Sequence, residues 1–267
     1  AIAAKALLAA GCDVLDLGLC GTEEIYFAVS HCAAGAGICI TASHNPIEYN
    51  GLKLVGSGSA PLPEAVFARV RDLAAPATPQ ADVMPGHWHD VSLASRRAYA
   101  ERVISFIDMA ELAPLKILVN AGHGADGPAF DTIAAMLADA GAPLTFVRMN
   151  HEPDSSFPAG IPNPLLPENR PVTSEAVRTA GAHFGVAWDG DFDRCFFFDE
   201  AGTFADGAHV VGLFAEHFLG REPGATVVHD PRVVWDTQEI VARLRRRSMQ
   251  ACTGHAFMKR AMCETGA

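Results

Sequence analysis

The chain has 267 residues, a length that suggests about two domains, and 49% hydrophobic against 19% charged residues describes a globular protein with material for real cores. A formal net charge of −11 argues against a nucleic-acid partner, because proteins that grip such a backbone display basic stripes. No apolar run approaches ~20 residues and no charged-apolar-small leader opens the chain, so neither a membrane span nor a signal segment is expected.

In chain order, "AIAAKALLAAG" reads as a helix stopped at Gly11, followed by a strand over 14–19. Because the first residue already lies inside a helical pattern, and "MKRAMCETGA" ends just after one, the chain reads as a fragment. "GTEEIYFAVSHCAAG" is a helix with acidic residues in its first turn, and 37–41 is a strand running into a Ser-containing loop. Pro63 stands at a plausible first position of the helix "PEAVFARVRDLA". The Pro/Ala/Gly-rich stretch 74–90 is the best linker candidate. Beyond it, "SLASRRAYAERVISFIDMA" is helical and 115–120 is a strand. The next helix aligns Phe130, Ile133, Ala134, Leu137 and Ala138 on one face. "PLTFVRM" returns as a strand, a long Pro-rich loop follows, and "SEAVRTAGAHFGVAWDGDFDRCFFFDEAG" holds a helix and two strands around an acidic loop. The last unit holds a helix over 208–219, the strand "TVVHD" and a helix from near Trp235. Strands alternating with helices predict α/β layers with parallel or mixed sheets.

Seven cysteines (Cys12, Cys20, Cys32, Cys39, Cys195, Cys252, Cys263) are odd in number and form no C-x-x-C pair. That suits neither a disulfide framework nor a zinc site, and a reduced, cytoplasmic protein is expected.

Two stretches carry chemistry. In "WDGDFDR", Asp189, Asp191 and Asp193 alternate, so an extended chain would aim all three to one side. Carboxylates within ~4 Å repel by roughly 1 kcal/mol per pair even in water, and by more in a cleft, so a cation is expected among them. Oxygen-only donors on a tight loop suit Mg²⁺, which keeps positions for phosphate or water. An EF-hand is disfavoured because Arg194 stands where its turn needs Gly. A D-x-D glycosyltransferase loop and a plain solvated acidic turn are the other readings. Arg194 weighs against the last, since a guanidinium beside such a cluster suits forked phosphate recognition.

The second stretch is "GICITASHNPIEYNGLKLV", where a strand ends at a hydroxyl followed by His44, Asn45 and Pro46. Ser43 is a weak nucleophile unless activated, and it lies outside the G-x-S-x-G elbow. Neighbouring side chains diverge along an extended chain, so His44 is not expected to accept the Ser43 proton. A serine that carries a phosphoryl group, held by an Asn-Pro turn, is the better fit; an Asn-Pro turn with an incidental serine is the default for these four residues alone.

Taken together, "TASHNPIEYNGLKL" and "DGDFDR" resemble the active-site serine loop and metal loop of the α-D-phosphohexomutases. "GTEEIYFA", "IPNPLLPENR", "DGDFDRCFFFDE", "HDPR" and "TGHAF" extend the resemblance along nearly the whole chain, towards the bacterial phosphomannomutase branch. The resemblance implies successive three-layer α/β domains with mixed sheets: a partial first domain over 1–90 with the phosphoserine loop, a second over 91–203 with the Asp loop, and a partial third over 204–267, the fourth being absent. It implies a phosphoserine at Ser43, with Mg²⁺ held by a phosphate oxygen together with Asp189, Asp191 and Asp193. The phosphoryl group passes to a hexose phosphate, the bisphosphate turns over, and its other phosphate returns to the serine, interconverting mannose 6-phosphate and mannose 1-phosphate or the glucose equivalents. Lys53 or His255 is implied for proton transfer, His44 for positioning, Arg194 for steadying the transferred group, and Arg232 and His255 for contact with the sugar phosphate. No site is assigned to "NAGHGADG", where His123 replaces the usual Asn.

The resemblance has gaps. The family's N-terminal strand, its Gly-Glu-Met-Ser sugar loop and its last domain are missing, so the chain alone is expected to bind metal better than it turns over substrate. "ARLRRRSMQACTGH" replaces an expected Gly-Gly turn and apolar strand; three consecutive arginines make a poor central strand, and the stretch is either a compensated frameshift or a divergent edge segment. A non-catalytic remnant of the fold and a metal-dependent glycosyl or nucleotidyl transferase are the competing functions. Oligomeric state is not readable.

Overall fold

A computed structural model describes residues 2–46, 48–74, 83–222 and 224–267, apart from the side chains of residues 255 and 256. Elements follow in chain order: α1 (Ile2–Ala9), β1 (Val14–Asp16), α2 (Thr22–His31), β2 (Ala36–Ile40), β3 (Leu52–Gly56), α3 (Glu64–Ala74) and β4 (Trp88–Asp90). β2 and β3 form an antiparallel hairpin in which Ile40 faces Leu52, so residues 41–51 are its loop. Ile25 and Val29 of α2 pack on Cys39 and Val55, one from each strand of the hairpin. β1 pairs in parallel with β4. The 74–90 stretch is therefore no linker at its end, where β4 completes a sheet and the Gly86 amide donates to the Leu8 carbonyl; residues 75–82 lie outside the described residues. Pro63 caps α3 from one residue before its start, its carbonyl accepting the amides of Val66 and Phe67.

The middle of the chain holds α4 (Ser92–Ile104), β5 (Leu115–Asn120), α5 (Asp126–Asp139), β6 (Leu144–Met149), α6 (Arg170–Ala180), β7 (Phe184–Trp188) and β8 (Cys195–Phe198). Their sheet runs β6-β5-β7-β8, parallel except for the antiparallel edge strand β8. β5 lies inside this sheet, and its residues 117–120 are buried, which is why "LKILV" is a nearly unbroken apolar run. Leu118 faces Val177 of α6 and Phe198, while Ile117 and Val119 face the other way, against Phe130 of α5 and Phe146. Of the expected α5 face, Ala134 and Leu137 are buried, Phe130 and Ile133 are half-buried, and Ala138 is exposed.

The last unit comprises α7 (Gly207–Arg221), β9 (Thr226–His229), α8 (Trp235–Arg243), β10 (Arg247–Gln250) and α9 (His255–Thr265). The arginine-rich stretch does form a strand: β10 pairs in parallel with β9, with all four of its residues exposed. Pairing uses only backbone groups, and a strand open to solvent tolerates the charges that a central strand would reject. Arg245 takes the turn in the left-handed region, at φ 55°. The chain thus adopts the expected α/β class with mixed sheets. Among the described residues, no helix is long and apolar enough to cross a membrane.

Candidate active site

The hairpin loop begins where Thr41 N–H donates to the Gly51 carbonyl (3.1 Å). Ser43 then turns into the left-handed region, at φ 54°. A non-glycine residue is held there only when its surroundings over-determine it. Here the Ser43 amide donates to Thr41 Oγ1 (2.8 Å), and the amide and side chain of Asn45 both donate to the Ala42 carbonyl (3.0 and 2.8 Å). The tight turn brings Ser43 Oγ within 3.1 Å of His44 Nδ1. This corrects the expectation that the two side chains diverge, which assumed an extended backbone. Arg194 Nη2 donates to the same Nδ1 (2.5 Å), so its lone pair is engaged by the guanidinium and Ser43 Oγ lies beside it without giving it a proton.

The acidic loop links β7 to the edge strand β8. Its chain is a turn rather than an extended segment: Phe192 has φ 43°, and its amide donates to the Asp189 carbonyl. Asp189 Oδ1 accepts the Arg194 amide (3.1 Å), closing the turn on itself. The three carboxylates nonetheless converge, with one oxygen from each within 4.8 Å of the others.

Close approach holds this loop against the N-terminal unit. Thr22 N–H donates to the Asp191 carbonyl (3.1 Å), and Ala125 N–H donates to that of Gly190 (3.0 Å). A side chain at Gly21 would overlap the Phe192 ring, and a Cβ at Gly190 would stand 2.5 Å from the Ser43 carbonyl oxygen. Both glycines are needed for the two segments to meet. The result places Ser43 Oγ 3.0 Å from Asp189 Oδ2, as donor to a carboxylate 146 residues away.

Two cations face the three acids. Lys53, on β3 beyond the serine loop, contacts Asp191 Oδ2 (2.7 Å) and Asp193 Oδ2 (2.8 Å). Arg194 contacts Asp189 through Nη2 (2.5 Å) and Nε (3.1 Å) and lies 3.6 Å from Asp193. Burial pushes Asp189 above the usual carboxylate range against the pull of Arg194. For Asp191 burial acts the same way but is outweighed by Lys53 and neighbouring hydroxyls, which hold it below that range. Burial would lower Lys53, yet its hydrogen bonds to Asp191 and Asp193 raise it, so it is a charged ammonium in this arrangement.

The donor set fits a hard divalent cation. It is all oxygen, and Asp191 Oδ1 is buried with no hydrogen-bond partner. Among the described residues, Arg232 is not brought to this cluster by any hydrogen bond. It is mostly exposed and pairs with Asp230 through Nε (2.7 Å) and Nη2 (3.0 Å). His255 opens α9, and its side chain lies outside the described residues. His123 bonds the Glu152 carbonyl and belongs to a structural turn. A cavity of about 810 Å³ between β1 and β2, lined by Val14, Leu17, Ile25, Val29 and Cys39 among others, touches none of these groups.

Three residues at or near the site carried no signal in the sequence. Thr22 and Thr41 both donate to Asp191 Oδ2, at 3.2 and 2.8 Å, and look like ordinary helix-start and loop residues. Asp126 reads as an acidic residue in a helix first turn but is buried near Asp189.

Comparison with known proteins identifies the family. Residues 1–80 match the family model "Phosphoglucomutase/phosphomannomutase, alpha/beta/alpha domain I", and residues 97–202 match that of domain II. A phosphomannomutase of Salmonella montevideo is 48% identical over 262 residues, covering 97% of this chain and 57% of that protein. A protein of Xanthomonas campestris pv. campestris described as "Phosphohexose mutases" is 48% identical over 258 residues, covering 96% of this chain and 56% of its own length. Among solved structures, a phosphoglucomutase/phosphomannomutase family protein from Burkholderia thailandensis superposes with a TM-score of 0.83 at 29% identity, covering 98% of this chain and 56% of that one. The chain spans a little over half the length of the relatives it matches. Matched by both domain models and 48% identical to relatives over nearly its whole length, the chain belongs to the phosphoglucomutase/phosphomannomutase family.

Proposed function

We propose that this chain is the part of a Mg²⁺-dependent phosphohexomutase that carries the phosphoserine and the metal loop, and that the whole protein interconverts mannose 6-phosphate and mannose 1-phosphate. The observation that carries the reading is the 3.0 Å approach of Ser43 Oγ to Asp189 Oδ2, which joins the two loops. Charge supports it. Three carboxylates against Lys53 and Arg194 leave a net charge of about −1, and a phosphate on Ser43 would add about −2, so a divalent cation is needed for the group to stay. When bound, the metal supplies neutralisation of the charge on the transferring phosphoryl group.

Ser43 gives its phosphoryl group to a sugar hydroxyl: the bond from Oγ to phosphorus breaks, one from the sugar oxygen forms, and the sugar proton passes to a base. The reverse step, from the other end of the bisphosphate, restores the serine ester. Arg194 orients the group through its fork, and His44, whose Nδ1 faces Ser43 Oγ, positions the hydroxyl. Lys53 serves as proton acceptor only after leaving its two carboxylates and giving up its own proton, and otherwise acts as a fixed positive charge. Arg232 and His255 are assigned to the sugar phosphate on resemblance. The same reading divides the chain at 1–90, 91–203 and 204–267. The preference for mannose follows the names of the relatives, and seven free cysteines suit a cytoplasmic setting.

The test is intact-mass analysis of the gene product that carries this chain. About 80 Da on the Ser43 peptide is expected, together with conversion of mannose 1-phosphate to mannose 6-phosphate that the Ser43→Ala variant loses by several orders of magnitude. A transferase using the Asp loop alone would bind nucleotide sugar and leave Ser43 unmodified.

A further inference from the structure

We propose that Thr41 is a positioning residue that ties the Ser43 turn to Asp191 and reserves one oxygen of that carboxylate for a metal ion; this rests on Asp189, Asp191 and Asp193 being the ligands. The Thr41 hydroxyl accepts the Ser43 amide (2.8 Å) and spends its single proton on Asp191 Oδ2 (2.8 Å). One side chain thus joins the serine loop to an acid 150 residues away. Asp191 Oδ2 also accepts from Lys53 Nζ (2.7 Å) and Thr22 Oγ1 (3.2 Å), giving it three donors. Oδ1 of the same carboxylate is buried and has none. A carboxylate offers about four lone-pair positions, and filling those of Oδ2 leaves Oδ1 as the atom free to bind a cation. Groups that orient a ligand from behind in this way commonly set metal affinity.

Thr22 is the weaker partner. It is fully buried, its contact with Oδ2 is longer, and its backbone amide holds the Asp191 carbonyl whatever its side chain is. Thr41 has no such second hold on Asp191 among the described residues, and Ser43 depends on its hydroxyl to stay at a positive φ.

The experiment is a Mn²⁺ titration of the gene product that carries this chain, followed by the electron paramagnetic resonance of free Mn²⁺, with melting in EDTA measured alongside. Thr41→Val should weaken Mn²⁺ binding by about 10- to 100-fold. Thr41→Ser should restore most of it, Thr22→Val should cost less than Thr41→Val, and melting in EDTA should change little. If Thr41→Val fails to fold, Thr41→Ala takes its place. Native affinity in the hydroxyl-free variant, or no recovery with Ser, overturns the proposal while leaving the metal site intact. No Mn²⁺ binding by the native chain overturns the metal reading and the proposal with it.

Discussion

Asp126 opens α5 with its side chain buried and, among the described residues, with no well-formed hydrogen bond to either carboxylate oxygen, only the pull of the backbone amides of residues 126 and 127. Burial, with repulsion from Asp189 added, pushes its pKa up to about 8 from an ordinary value of 3.8. Between those two values the unfolded chain has lost a proton that the folded chain keeps. Stability therefore falls as pH rises through that window, by at most about 1.4 kcal/mol per pH unit, and levels off above it. Asp126→Asn removes the ionisation, so in EDTA it should exceed the native chain in stability at pH 8 by a margin that shrinks to nothing near pH 4. Urea denaturation across that range reads the difference; equal pH profiles for the two would show that Asp126 is ionised in the folded state. Nothing in the sequence distinguishes this residue from the exposed acids that commonly start helices, because desolvation depends on what packs over the side chain. The contact between Ser43 and His44 was hidden for a related reason. Their adjacency was legible, but the left-handed turn that makes them converge is imposed by Thr41 and Asn45.

The elements most legible in the chain were those with strong local signals. β5 coincides with the expected 115–120 strand because both of its faces are covered, which demands continuous apolar residues. The Asp loop was found because three carboxylates at alternate positions are unfavourable without a cation, although the loop converges by turning at Phe192 and not by extension. β4 and β10 were missed, being three and four residues long, exposed, and dependent on partners elsewhere in the chain. Loop docking supplies a test at this scale. Gly190→Ala places a methyl group 2.5 Å from the Ser43 carbonyl oxygen, a backbone atom that can yield only by moving the serine loop. The variant should keep its fold, since residue 190 lies outside the strands, but weaken Mn²⁺ binding and serine phosphorylation by at least about tenfold. Unchanged affinity in the same titration would mean that the two loops are not held by this contact.

Across the whole molecule, the site depends on two stretches of chain that share no sheet: the β2–β3 hairpin and the turn between β7 and β8. A cation bound there stabilises the native arrangement by mass action, about 2.7 kcal/mol at a hundred times its dissociation constant. Added Mg²⁺ or Mn²⁺ should therefore raise the melting temperature, EDTA should reverse the gain, and Asp191→Asn should abolish it; a melting temperature indifferent to all three would rule out a metal at this cluster. The sequence by itself determined the alternating α/β order, the Ser-His-Asn-Pro turn, the need for positive charge among Asp189, Asp191 and Asp193, and the family resemblance, since each is written in local spacing or residue chemistry. Only the tertiary structure decided that Ser43 meets Asp189, that Lys53 bridges Asp191 and Asp193, and that Thr41 links the loops. Those contacts span 138 to 150 residues, and what sets them is the close approach of Gly21 to the Phe192 ring and of Gly190 to the Ser43 carbonyl, a property of packing that no short stretch of chain encodes.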